Sequence, residues 1–149
     1  VVQPTKHYND YIRDLNQCDI FLSTFPFGAT NGIIDASIQG LPIVNLWGEE
    51  PHSSIDGLMT QMIAQPARLT ARGVDEYVEA VVRLVNDPAL RVQISRNMLD
   101  NNPAKVFFDG SERVSQDFKC IFNYISSKKT SLKNDKQKII PFELIRDYN

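Results

Sequence analysis

Apolar positions along the first half of the chain follow two different patterns. Helical spacing marks residues 8–16 and 31–39, whereas continuous apolar runs mark residues 19–25 and 42–47 as buried strands. A further helix, capped by Ser53 or Ser54, is expected to end near residue 64, and residues 67–71 favour one more short strand. Such alternation predicts an α/β fold with a Rossmann-like parallel sheet flanked by helices.

The second half of the chain carries only helical patterns. They predict helices over residues 76–86 with Asp75 as the cap, over residues 88–100 from the Asp87-Pro88 start, and over residues 111–127. Residues 128–138 hold five lysines and little apolar material, as a solvated linker does. We therefore predict one domain over residues 1–127, truncated at its N-terminus, and a Lys-rich linker and tail over residues 128–149.

Composition narrows the classes of partner. With 149 residues, 42% of them apolar, and a net charge of −2, the chain can form a core but creates no general field for nucleic acid, so an anion site must be local. The sequence has no membrane span and no signal-peptide pattern, which favours a cytoplasmic setting, and the start at Val1 suggests a piece of a longer protein. Cys18 and Cys120 are expected to be buried free thiols.

The loop between the first strand and the next helix carries the strongest chemical pattern. Gly28 and Gly32 lack a Cβ, which allows close approach to a phosphate, and Thr30 or Asn31 is a candidate helix cap. The free amides and dipole of the helix N-terminus make an anion site, and Asp35, one turn on, suits ribose hydroxyls. On spacing alone, a strand-to-helix turn without a ligand fits equally well, with Asp35 as an acid that favours the helix dipole.

The identities of the residues in this segment are more specific than the spacing of its glycines. Residues 22–35, LSTFPFGATNGIID, closely resemble the motif of the HMW1C-like bacterial protein glycosyltransferases, relatives of the O-GlcNAc transferase family, and the likeness continues over roughly residues 4–122. The resemblance implies the C-terminal, UDP-hexose-binding half of a GT-B fold. It implies diphosphate contacts at Thr30 and Asn31, with Gly28 and Gly32 in the same loop, and a ribose contact at Asp35. Upstream, Lys6 and His7 are candidates for phosphate or uracil contact.

No acceptor-activating base is identifiable, and His52 is a weak catalytic candidate beside its alternative as an ordinary loop histidine. There is no Asp-x-Asp pair, and the two histidines are not at ligand spacing, so neither a metal nor another cofactor is expected.

The function predicted is inverting, metal-independent transfer of a hexose from a UDP-sugar to Asn or Ser/Thr side chains of a protein acceptor. The fragment is expected to be inactive without the N-terminal half of the enzyme. A nucleotide-sugar epimerase half-domain and a non-catalytic interaction module are the alternatives.

Overall fold

The computed structural model describes residues 5–129 as alternating helices and strands followed by helices. In chain order these elements are α1 (Tyr8–Leu15), β1 (Phe21–Leu22), α2 (Thr30–Ile38), β2 (Ile43–Leu46), α3 (Pro51–Met62), a 3₁₀ turn (Ala67–Leu69), β3 (Thr70–Ala71), α4 (Val74–Asn86), α5 (Pro88–Asp100), α6 (Pro103–Phe108) and α7 (Ser111–Ser127). No helix among these residues is long and apolar enough to cross a membrane. The chain divides into two compact units, Val1–Phe107 and Phe108–Asn149.

The three strands form a parallel sheet in the order β1-β2-β3. Phe21 pairs with Ile43, and Asn45 pairs with Thr70, so β2 lies in the centre. Helices α2 and α3 provide the crossovers that parallel pairing requires. The predicted α/β fold with a parallel sheet flanked by helices is therefore confirmed.

The core of the first unit forms around the central strand. Ile43, Val44 and Asn45 are all fully buried, because helices cover both faces of a parallel sheet and leave no polar face. Asn45 donates a hydrogen bond to Thr60 Oγ1 at 3.2 Å, which connects β2 to α3. The best-buried apolar side chains from the surrounding elements are Ile33, Ile63, Leu69, Leu84, Ile94 and Met98.

The predicted helices are present in the structure, but some of their N-caps differ from those predicted. Helix α3 begins at Pro51 with Glu50 as its N-cap, so Ser53 and Ser54 are not caps. Gly73, rather than Asp75, precedes α4. The predicted start at Asp87 is correct, because its carboxylate accepts the Leu90 amide at 2.9 Å.

Helix α6 is an addition to the predicted elements. It begins at Pro103, in the gap between the helices predicted over residues 88–100 and 111–127, since proline is tolerated in a first turn and Asn102 Oδ1 accepts the Lys105 amide at 3.1 Å. In the second unit, α7 covers the predicted range and presents exposed apolar side chains at helical spacing, among them the stacked pair Phe118 and Phe122.

Two further predictions have different outcomes. The burial predicted for both thiols is wrong, since Cys18 is exposed after the end of α1 and Cys120 is half-buried. The domain boundary predicted at residue 127 stays a prediction, as does the tail over 128–149, most of which lies outside the described residues.

Candidate functional site

The predicted anion-binding loop lies at the carboxyl end of β1 and leads directly into α2. The N-cap of α2 is Ala29, which makes no side-chain cap bond, so the prediction that Thr30 or Asn31 caps the helix is wrong. The first helical hydrogen bond runs from the Ile33 amide to the Ala29 carbonyl at 2.8 Å. The amides of residues 30–32 therefore precede the helical ladder and point from the N-terminus of α2.

A buried carboxylate lies beneath this loop. Asp56, in α3, is only 4% exposed, and its Oδ2 accepts both the Ala29 amide at 2.7 Å and the Ser23 hydroxyl. Its other oxygen, Oδ1, is buried without a hydrogen-bond partner in the described part of the chain. Asp56 thus connects the start of the loop to its end.

His52, one turn before Asp56 on α3, makes two more contacts to the loop. Its carbonyl accepts the Gly28 amide at 3.0 Å, and its ring stacks on Phe27 with centroids 4.8 Å apart. Thr24 Oγ1 closes the loop internally by donating to the Phe27 carbonyl at 2.6 Å. The weak catalytic candidate therefore does lie against the predicted loop, where its contacts are structural.

The two glycines of the motif are explained by packing. A Cβ on Gly28 would lie 2.5 Å from Asp56 Oδ1, and a Cβ on Gly32 would lie 2.8 Å from the ring of Phe21. Neither has the left-handed backbone that only Gly40 shows among the described glycines. Both glycines allow neighbouring elements to approach, whatever the loop binds.

Asp35 faces tyrosine side chains of α1. The Tyr8 hydroxyl donates to Asp35 Oδ1 at 2.7 Å, and this bond raises the pKa of Tyr8 above its usual 10.0. The pKa of Tyr11 is also raised, by burial first and then by the negative charge of Asp35. The Asp35 carboxylate is therefore in an environment of neutral O–H donors.

Lys6 and His7, the upstream candidates for ligand contact, lie at the start of α1. The Lys6 ammonium forms an ion pair with Asp14 of α1, and His7 is the exposed N-cap of the same helix. Among residues 5–129, no hydrogen bond or ion pair connects either side chain to the loop. No group of three or more His, Cys, Asp or Glu side chains in this part of the chain could hold a metal ion.

Sequence reasoning missed the part that Asp56 takes in the site. Asp56 lies within the stretch that resembles the family, but its own pattern does not mark it, because an acid inside an amphipathic helix is usually a solvated residue. The available signal was its position four residues after His52, which places both residues on the face of α3 that packs against the loop.

A parallel sheet with a glycine-containing loop and a helix N-terminus at its carboxyl edge is the arrangement of Rossmann-like α/β domains. No protein-family model matches the chain. Two proteins named UDP-glucose:protein N-beta-glucosyltransferase, from Actinobacillus pleuropneumoniae serotype 5b (strain L20) and serotype 7 (strain AP76), are each 40% identical over 110 residues, which are 74% of this chain and 18% of the relative. A protein of Solanum lycopersicum named probable UDP-N-acetylglucosamine–peptide N-acetylglucosaminyltransferase SPINDLY is 30% identical over 79 residues, 53% of this chain and 8% of that protein.

The resemblance to the HMW1C-like protein glycosyltransferases is therefore confirmed: the chain is similar in sequence to a segment of such proteins. It spans less than a fifth of the length of the bacterial relatives that it matches.

Proposed function

We propose that this chain is the donor-binding segment of a glycosyltransferase that moves a hexose from a UDP-sugar to Asn or Ser/Thr side chains of a protein. The observation that carries the proposal is the start of α2, where the amides of residues 30–32 precede the helical ladder within one turn of the Asp35 carboxylate. Amides suit a diphosphate, and a carboxylate suits the ribose next to it. The names of the relatives, which specify UDP-glucose and UDP-N-acetylglucosamine, support this donor class.

In this proposal the diphosphate binds at the N-terminus of α2, with Thr30 and Asn31 as its contacts. The departing UDP gains negative charge as the bond to the sugar breaks, and fixed amides aimed at that charge stabilise it more in the transition state than in the ground state. The helix dipole acts in the same direction. The amides take the part that a cation would otherwise have, so the proposal includes no metal, and inversion at the sugar carbon belongs to the same proposal.

The ribose contact is assigned to Asp35. Its carboxylate already accepts the Tyr8 hydroxyl, and a ribose offers the same kind of neutral O–H donor. A bound ribose would share this carboxylate with Tyr8 or displace it.

The rest of the reaction is assigned to the part of the enzyme outside this chain. The described residues contain a loop for the leaving group, and His52, the one weak candidate for a base, is engaged with Phe27 and the loop backbone. We expect the isolated chain to bind UDP weakly and to transfer no sugar. Turnover by the isolated chain would contradict this expectation.

The assignment of Asp35 can be tested by titration calorimetry with UDP. Asp35→Ala should reduce affinity by about tenfold or more, because it removes a charged acceptor of ribose hydroxyls. Asp100→Ala is the matched control, since it removes an exposed carboxylate at the end of α5 and should leave the binding heat unchanged. Equal heats for the wild type and Asp35→Ala would exclude the ribose contact.

A further inference from the structure

We infer that Asp56 is a positioning residue for the donor site: it holds the loop so that the amides of residues 30–32 are presented to the diphosphate. The inference rests on the proposed function, because it names the group on which the geometry of that site depends. Asp56 itself lies beneath the loop, with 4% of its surface exposed, and acts through the backbone.

The first argument is that one oxygen joins both ends of the loop. Asp56 Oδ2 accepts from Ser23, the residue after β1, and from the amide of Ala29, the N-cap of α2. Residues 24–28 must therefore fit between two points that this carboxylate fixes. Together with the His52 carbonyl on Gly28, it determines where α2 begins.

The second argument is how the amides of the loop are divided. Those of Gly28 and Ala29 are used by α3, through His52 and Asp56 respectively. Those of residues 30–32, immediately after them, precede the first helical hydrogen bond. If the Ala29 anchor were lost, the first turn of α2 would be free to shift, and the alignment of these amides toward one anion would be lost with it.

The third argument concerns the free energy that this arrangement costs. Asp56 Oδ1 is buried without a hydrogen-bond partner in the described part of the chain, which is unfavourable for a carboxylate. Its negative charge near the N-terminus of α2 also opposes a phosphate there. The contribution of Asp56 to donor binding is therefore geometric, and a neutral side chain with an acceptor in the same place should preserve it.

The test compares variants of the full-length protein that contains this chain, with UDP affinity measured by calorimetry. Asp56→Ala should weaken UDP binding by about tenfold or more, because the Ala29 amide loses a charged acceptor. Asp56→Asn keeps an acceptor oxygen and should stay within about threefold of the wild type. The matched control is Ile63→Ala, which removes a fully buried side chain at the C-cap of α3, seven residues after Asp56 and about 10 Å away along the helix axis. It should lower the melting temperature and leave UDP affinity unchanged.

Several results would overturn the inference. It fails if Asp56→Ala binds UDP as the wild type does, if Asp56→Asn is as weak as Asp56→Ala, or if Ile63→Ala weakens UDP binding as much as Asp56→Ala at equal loss of melting temperature. If Asp56→Ala does not fold, Ser23→Ala replaces it: a severalfold loss of affinity supports the inference, and unchanged affinity overturns it.

Failure of the proposed function gives a different result. In that case the wild type itself does not bind UDP, and hydrogen exchange at the Ala29 amide then tests Asp56 separately. Exchange should be slow in the wild type and Asp56→Asn and fast in Asp56→Ala. Slow exchange in all three would show that Asp56 does not hold the loop.

Discussion

Replacing Gly28 with alanine tests how tightly the loop packs on α3. The added Cβ would lie 2.5 Å from Asp56 Oδ1, 2.8 Å from Cγ and 2.9 Å from Oδ2, so the whole carboxylate is in its way. Gly28 does not have a left-handed backbone, so the effect of the substitution is steric. Relief requires either that the carboxylate moves or that the loop lifts from α3.

Both ways of relieving the contact break hydrogen bonds. If the carboxylate moves, it gives up the Ala29 amide and the Ser23 hydroxyl, and a hydrogen bond to a charged group contributes about 1.5–3 kcal/mol. If the loop lifts, the bond from the Gly28 amide to the His52 carbonyl is lost as well. The lower chain entropy of alanine in the unfolded state returns about 0.4–1 kcal/mol. We therefore expect Gly28→Ala to reduce the free energy of unfolding by about 2–6 kcal/mol.

The assay is equilibrium unfolding in urea, followed by circular dichroism and compared with Gly73→Ala. A Cβ on Gly73 would meet nothing within 4 Å, and this residue is the N-cap of α4, where alanine costs at most about 1 kcal/mol relative to glycine. If the two variants unfold at the same urea concentration with the same slope, the packing of Gly28 against Asp56 does not constrain the loop and the reasoning is refuted.

Three other predictions concern single interactions. Gly40→Ala should cost about 1–3 kcal/mol, because the residue has φ +74° and its Cβ would crowd α5; a melting temperature equal to the wild type would contradict this. Asp87→Ala should cost about 1 kcal/mol by removing the cap on the Leu90 amide, which thermal unfolding measures, and no loss would mean that the cap is not needed. The hydrogen bond from Tyr8 to Asp35 requires the protonated hydroxyl. It therefore stabilises the fold fully below the pKa of tyrosine in the unfolded chain, near 10.0, and is lost as the pH rises through the higher pKa that Tyr8 has in the fold. Asp35→Asn should therefore lower the alkaline midpoint of Tyr8, read by ultraviolet difference titration against Tyr8→Phe, and an unmoved midpoint would refute the bond.

The order and type of the main elements could be predicted from the sequence because they depend on periodicity within one segment. The apolar stripe of α4 and the continuous apolar run of β2 each determine their own element. The predicted strand over residues 19–25 was too long: the pairing of β1 covers only Phe21 and Leu22, and the next side chain, Ser23, turns to α3 instead.

The contacts of the site could not be predicted in this way, because they join distant segments. The bond from Ala29 to Asp56 spans 27 residues, and so does the bond from Tyr8 to Asp35. Lys6 was a reasonable phosphate candidate by residue type, but the fold places its ammonium on Asp14. Residue type and spacing indicate which loop carries the candidate site, and tertiary contacts decide which of its groups remain available to a ligand.

The glycines of the loop show how this changes the interpretation of the motif. From sequence, Gly28 and Gly32 suggested a backbone that must approach a phosphate closely. In the fold, a Cβ on either glycine would crowd a side chain, that of Asp56 or of Phe21, so packing accounts for both. The proposed anion site then depends on the amides of residues 30–32, and substitution of either glycine should affect folding first and donor affinity only as far as the first turn of α2 moves.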